Sequence, residues 1–263
     1  MTDRHVDVKD EGRVRILTMD RPDRRNALTP QTVGEIEEAL RDAAEGSTIG
    51  AVVLTGAGGH FSAGGDVDHI LGAISGEDTA LLTMMRAFHR VVVEIWESRL
   101  PVVAAVSGVA YGGGINLALA CDLVVMSAEA RLCEVFARRG IVPDVAGAYL
   151  LPRIVGVHRA RELMLLAPEI DAARALEWGI ANIVEPDPDA ALATAVAKAA
   201  ELASMPDYTV ALTKKLVNHS LDSDLRSSLE LEAVSQAAAL RSKAATEGFE
   251  AFRQSRRRTE DRR

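Results

Sequence analysis

The hydrophobic pattern of this chain switches between a continuous strand-like run and a helical spacing of three to four, and each switch marks an element. Val14 to Met19 is an apolar run with polar interruptions, bounded by Gly12 and the turn-forming Asp20-Arg21-Pro22-Asp23, and it predicts a strand. A helix follows. Thr29 stands as N-cap before Pro30 at the first helical position, and Val33, Ile36, Leu40 and Ala44 return at helical spacing until Gly46. Ala51 to Thr55 is a short, continuously apolar segment ending in Gly56, as expected of a strand covered on both faces. The theme repeats with a helical stretch Thr79 to Ser98, Pro101, the run Val102 to Val106, a glycine-rich turn, helical Ile115 to Ala120 and the run Leu123 to Met126. Strand, helix, strand in this order predicts an α/β fold with right-handed crossovers and a largely parallel sheet.

From Gly156 onward helical spacing dominates: His158 to Leu166, Asp171 to Trp178, Asp189 to Ala203, Pro206 to His219, Leu225 to Leu240 and Lys243 to Arg253, with one apolar interlude at Ile180 to Val184. The expected division is a core over residues 1–200 and a helical region over 201–263. Leu225 to Leu240 carries more apolar positions than an end segment needs in water, so it is expected to pack on a neighbouring subunit or to return to the core. No internal repeat is present. The terminal Arg253 to Arg263 holds six arginines and reads as a solvated tail.

At 263 residues the chain is long enough to bury about three quarters of its unfolded surface. Hydrophobic residues at 48% and charged residues at 26% match folded soluble proteins and argue against disordered, collagenous and disulfide-scaffold classes. A net charge of −8 argues against nucleic acid or an anionic membrane as partner, and 4% aromatic residues leave few platforms for base stacking. Cys121 and Cys133 suit a reducing compartment. Charges begin early in Met1 to Asp10, and no stretch reaches the roughly 18 to 20 apolar residues of a membrane span, so a cytoplasmic protein without a secretory signal is expected.

The glycines fit no nucleotide motif. Neither G-x-G-x-x-G nor G-x-x-x-x-G-K-[ST] occurs, and a G-x-S-x-G elbow is missing too. His60, Asp66, Asp68 and His69 lie close together but lack zincin-like spacing, so no metal is expected. What remains is two glycine-rich turns, 56–67 and 107–116, each following an apolar strand. In a parallel sheet both lie at carboxyl strand ends, where open α/β sheets place ligands. Residues without a Cβ let a ligand approach the backbone, and Gly112-Gly113-Gly114 also opens a helix whose first N–H groups are unpaired. Two such turns facing each other could grip an oxygen that becomes negative during reaction.

These residues carry a family resemblance. Asp20-Arg21-Pro22 with Arg25-Asn26-Ala27-Leu28, Phe61-Ser62-Ala63-Gly64-Gly65-Asp66, Gly112-Gly113-Gly114 with Leu117-Ala118-Leu119-Ala120-Cys121-Asp122, and Gly140-Ile141-Val142-Pro143-Asp144 followed by Leu151-Pro152-Arg153 resemble the enoyl-CoA hydratase/isomerase family, the crotonase superfamily. The similarity runs from about Val14 to Phe252, with the motifs in order. It implies a crotonase-like spiral of ββα units with a helical C-terminal region, assembled as homotrimers or dimers of trimers. It also implies acyl-CoA thioester substrates, with coenzyme A as part of the substrate and no further cofactor.

Carried over residue by residue, the resemblance makes the N–H groups of Gly65 and Gly113 the oxyanion donors. Ala27 and Ala63 match positions whose backbone meets the adenine, and Arg24 or Arg25 would reach the CoA phosphates, where a guanidinium fork suits the oxygens. Asp66, Val67, Tyr111, Asn116 and Phe136 complete the expected substrate-binding set, and Ser255 with Arg256 occupies the place of a CoA-contacting lysine. Family hydratases use two glutamates; the matching positions hold Asn116 and Phe136, which cannot shuttle protons between water and carbon. Asp144 falls where several isomerases, including the phenylacetate-pathway type, and the 4-chlorobenzoyl-CoA dehalogenases keep an acid.

The expected reaction is therefore a double-bond shift in an unsaturated acyl-CoA through an enolate, with Asp144 as the one proton carrier, desolvated by Phe136, Ile141 and Val142. The competing role for Asp144 is capping a helical turn starting near Val145. Hydration, a dehalogenase-like hydrolysis with Asp144 as nucleophile, and an acyl-CoA-binding scaffold without catalysis are the alternatives. The acyl pocket is expected along Gly72 to Arg90.

Overall fold

The computed structural model describes residues 4–76 and 78–260. Its main sheet combines β1 (Val6–Glu11), β2 (Val14–Met19), β3 (Ala51–Gly56), β4 (Val102–Val106), β6 (Leu123–Ser127) and β9 (Ile183–Glu185), adjacent in that order. A small second sheet joins β5 (Val109–Tyr111), β7 (Arg131–Cys133) and β8 (Ile170–Asp171). β1 runs antiparallel to β2, and the remaining neighbours in the main sheet are parallel. The α/β architecture with a mainly parallel sheet follows.

The apolar runs are explained by cover on both faces. Val14, Ile16, Ala51, Val53, Val103, Ala105 and Val125 meet Ala191, Ala195, Ala199 and Ala203 on α8 (Pro188–Ser204). The fourfold spacing of those alanines makes one smooth stripe, which lets the helix lie close to the sheet. Leu17, Met19, Val52, Leu54, Val102, Ala104 and Val106 point the other way, into a core shared with α1 (Pro30–Glu45) and α3 (Asp78–Glu97). Thr29 caps α1, its Oγ1 accepting the Thr32 N–H at 3.1 Å.

The chain divides into two compact units after Ser204, where α8 ends, rather than at 200 within that helix. The second unit consists of α9 (Asp207–Ser220), α10 (Leu225–Leu240) and α11 (Lys243–Glu260). On α10, Leu225, Leu229, Val234 and Leu240 are exposed and only Ser235 is buried. Helix α11 continues the backbone through most of the arginine-rich segment; the side chains at 255 and beyond, with the Ser255 and Arg256 contact expected of them, lie outside the described residues. Among the described residues no helix is long and apolar enough to cross a membrane.

The glycine-rich turns are stitched together by main chain. Phe61 and Ser62 donate to the Ser107 and Val109 carbonyls at 2.8 and 3.0 Å, and Tyr111 donates to Ser62 O at 2.9 Å. A third segment joins them: Leu28 N–H donates to Gly64 O at 2.7 Å and Asp66 N–H to Leu28 O at 2.9 Å. Asn26, fully buried, supports the first turn by donating through Nδ2 to the Ala57 and His60 carbonyls at 2.9 and 2.6 Å. Gly114, in the first turn of α4 (Gly113–Leu119), packs so tightly that an added Cβ would stand 2.5 Å from Ser62 O. Backbone there cannot yield without breaking the stitch. Gly114→Ala is therefore expected to lower unfolding free energy by about 1–3 kcal/mol, read from urea denaturation; a variant as stable as the parent would show that the turns can separate freely.

Candidate active site

Gly64, Gly65 and Gly113 come together at this junction. Gly64 has φ +88°, and a Cβ placed on it would lie 2.6 Å from Tyr111 O and 3.5 Å from Gly113 N, so only glycine permits the approach. The neighbouring Gly65 N–H and the Gly113 N–H have no acceptor among the described residues. Gly113 is the first residue of α4, where unpaired N–H groups and the positive end of the helix dipole coincide. Two main-chain donors left unused beside each other favour an anionic or partly anionic oxygen.

Asp144 stands on the far side of Gly113. A Cβ placed on Gly113 would lie 3.5 Å from Asp144 Oδ1 and 3.2 Å from Val145 Cγ2. Asp144 Oδ1 is buried and has no hydrogen-bond partner, and burial pushes the carboxyl pKa up to about 6. The capping role is ruled out: α5 (Gly147–Val155) has Ala146 as its N-cap, with no side-chain cap. The source of burial also differs from expectation, because Ile141 and Val142 are exposed at 47% and 79%, whereas Val145 is 2% exposed. Val145 and Ala146 take φ of +47° and +59°, left-handed conformations that cost of order 1–3 kcal/mol each in residues with a Cβ.

Asn116 holds that turn. Its side chain is fully buried, and Nδ2 donates to the Asp144 carbonyl at 3.0 Å. The site lies so close to α5 that a Cβ on Gly147 would overlap the Asn116 amide at 2.3 Å. Asn116 thus acts on the Asp144 backbone from inside the protein. Glu134 was not anticipated at all. It is 3% exposed, neither carboxyl oxygen has a donor, and burial, opposed by Asn116 and reinforced by the Asp144 charge, pushes its pKa up to about 8. A lone carboxylate between Leu132, Cys133, Val135 and Phe136 was the available sequence signal.

The other expected residues are placed as follows. Phe136 is buried, with its ring edge about 3.4 Å from where a Gly112 Cβ would stand. Ala27 is buried, and Ala63 is tied to Arg25 O by its N–H at 2.9 Å. Arg25 is exposed in the left-handed region at φ +48°, and Arg24 is exposed and paired with Asp68 at 3.0 Å. Asp66 is committed to structure: Oδ1 caps α2 (Val67–Ile74) by accepting the His69 N–H at 3.1 Å, and Oδ2 pairs with Arg21 at 3.0 Å. That correction removes its carboxylate from the free substrate-facing groups. Val67 is exposed, and Tyr111 donates its hydroxyl to Glu169, with burial foremost in pushing the phenol pKa up to about 12. Among the described residues no group of three or more His, Cys, Asp or Glu side chains is placed to hold a metal ion.

A cleft of about 640 Å³ opens beside Asp68 and His69 between α2 and α3, lined also by Pro30, Gly72, Ala73, Ala80, Thr83 and Met84. Met84 is the one long apolar side chain among these lining residues, beside Gly72, Ala73, Ala80 and Thr83. Leu71 and Ile74 point to solvent, and Phe88 belongs to the core.

Comparison with known proteins places this geometry. A family model described as enoyl-CoA hydratase/isomerase matches residues 9–261. The chain is 35% identical over 245 residues to a 1,2-epoxyphenylacetyl-CoA isomerase of Escherichia coli (strain K12), covering 92% of each protein. It is 33% identical to a 4-chlorobenzoyl coenzyme A dehalogenase-2 of Arthrobacter sp, covering 88% of this chain and 84% of that one. The crystal structure of an enoyl-CoA hydratase from Polaromonas sp. JS666 superimposes with a TM-score of 0.92 at 31% identity, covering 95% of this chain and 97% of that one.

The buried acids make stability depend on pH. Glu134 moves from 4.5 to about 8 on folding and Asp144 from 3.8 to about 6, so the folded chain keeps protons that the unfolded chain releases between those values. Stability is then highest on the acid side of this window and falls as pH rises through it. Urea midpoints measured at about pH 5 and about pH 8 should differ less in E134Q than in the parent; an unchanged difference would contradict the burial of an uncharged Glu134.

Proposed function

The chain belongs to the enoyl-CoA hydratase/isomerase family, and from that membership we propose that it moves a double bond within an unsaturated acyl-CoA by proton transfer through an enolate. The observation that carries this reading is the carboxylate of Asp144, whose Oδ1 is buried without a hydrogen-bond partner beside Gly113. Asn116 and Phe136 stand where family hydratases carry their glutamates, so the machinery for adding water is lacking at those positions. Glu134 does not replace it, since it lies against Ile115, Leu132, Leu151 and Ile170 with both oxygens buried.

In this mechanism the thioester oxygen accepts from the Gly65 and Gly113 N–H groups. Asp144 takes the proton from the α-carbon of a 3-enoyl-CoA, and the electron pair delocalises onto the thioester oxygen. The same carboxyl returns the proton to the γ-carbon, leaving the 2-enoyl-CoA. Each donor is worth roughly 2.7–4 kcal/mol of transition-state stabilisation. Desolvation makes Asp144 a stronger base than an exposed aspartate while leaving it ionised at neutral pH. The cleft between α2 and α3 takes the acyl group, and Ala27, Ala63, Arg24 and Arg25 face the CoA moiety. Exposed Leu225, Leu229, Val234, Phe249 and Phe252 support assembly as a homotrimer or dimer of trimers.

Asp144→Asn should lower kcat for 3-enoyl-CoA isomerisation by about 10²–10⁴-fold, and the parent's kcat/KM should rise with pH through about 6. Full activity in this variant would overturn the proposal. Hydration of 2-enoyl-CoA at a comparable rate, or a covalent acyl- or aryl-enzyme on Asp144, would move the assignment to the hydratase or the dehalogenase reading.

A further inference from the structure

His60 ties together the three segments that meet at the site. Its carbonyl accepts from Asn26 Nδ2 at 2.6 Å, and its ring Nδ1 accepts the Val109 N–H at 3.2 Å. Among the described residues this second contact is the one side-chain hydrogen bond that crosses from the first glycine-rich turn, 56–67, to the second, 107–116. Gly108 makes room for the ring: it has φ +52°, and a Cβ there would stand 2.3 Å from His60 Nδ1 and 2.2 Å from Gly59 O. Val109 turns one edge of its backbone toward the first turn. On that edge its carbonyl takes the Ser62 N–H at 3.0 Å, while the preceding Gly108 carbonyl, on the opposite edge, takes the Arg131 N–H at 2.7 Å. The ring is what the Val109 N–H meets on the first edge. A ring nitrogen that accepts carries no proton, so this bond fixes the imidazole as the neutral tautomer with its hydrogen on Nε2.

We infer that His60 is a positioning residue for the two amides of the proposed site: through Nδ1 it holds the second glycine-rich turn against the first and so sets where the Gly113 N–H stands relative to that of Gly65. The path is short. Val109 opens β5, which runs directly into Gly112 and Gly113, and the other end of that strand is held by the Tyr111 N–H donating to Ser62 O at 2.9 Å. Donors aimed at a developing charge are sensitive to small displacements, since a misplacement of about 1 Å can cost on the order of 10²-fold in rate. The inference rests on the isomerase reading for its kinetic consequence, whereas the hydrogen bond and the tautomer stand without it.

The test combines ¹⁵N NMR of the histidine rings with kinetics, both on the full-length protein. The His60 ring, assigned among the six histidines by its absence in H60N, is expected to show an unprotonated, hydrogen-bonded Nδ1 and a protonated Nε2 at neutral pH. His60→Leu, which cannot accept, should lower kcat for 3-enoyl-CoA isomerisation roughly ten- to hundredfold with KM little changed. His60→Asn, whose Oδ1 can accept in place of Nδ1, should recover most of that loss. A protonated Nδ1, full turnover by H60L, or H60N as impaired as H60L each overturns the inference. Should H60L fail to fold, the ring signals and the turnover of H60N against the parent decide alone. Undiminished turnover by D144N would instead sink the isomerase reading; the ring signals then still decide the bond, and H60L and H60N are compared on the thioester that the parent does turn over.

Discussion

Three segments distant in the chain, 26–28, 61–66 and 107–114, meet largely through main-chain hydrogen bonds, and the site depends on that approach. Backbone donors inside a protein are nearly always paired, because leaving one unpaired costs about 1–3 kcal/mol. Here the pairing runs through Phe61, Ser62, Tyr111, Leu28 and Asp66 but passes over Gly65 and Gly113. Gly64 and Gly114 make the close contact possible, since a Cβ on either would strike a backbone carbonyl. Unused donors in such a frame are what the proposed enolate requires.

The proposed proton transfer draws on burial in a second way. Asp144 Oδ1 is removed from water without a compensating donor, so its basicity rises while the fold loses stability on the alkaline side. The strained turn at Val145 and Ala146 has a similar character: it is unfavourable locally, and it persists because Asn116 and the packing of α5 over-determine it. Site geometry and stability therefore oppose each other at this corner of the molecule.

Most of the fold was legible along the chain because its strands are covered on both faces and its helices carry clear stops. β2, β3, β4 and α10 occur where the pattern places them, and Thr29-Pro30 opens α1 as expected. β1 escaped because it is an edge strand with only Val6 buried, so it has no apolar period to read. β5, β7 and β8 are too short to set a period, and β5 hides inside the second glycine turn. Around the proposed site, the glycines and Asp144 stand in motifs visible along the chain. The roles of Asn26 and Asn116 could not be read there, because they follow from burial and from which carbonyl each amide meets. Asp66 stands in the substrate-binding set that the resemblance implies, whereas the start of α2 and Arg21 engage both its oxygens.

The central claim concerns where one oxygen sits. A crystal structure of the D144N protein with a bound 3-enoyl-CoA would show it directly. The thioester oxygen is expected within about 2.7–3.1 Å of both Gly65 N and Gly113 N, with the residue-144 side chain against the α-carbon. A thioester oxygen that reaches neither amide, with the acyl chain lying elsewhere, would contradict the account.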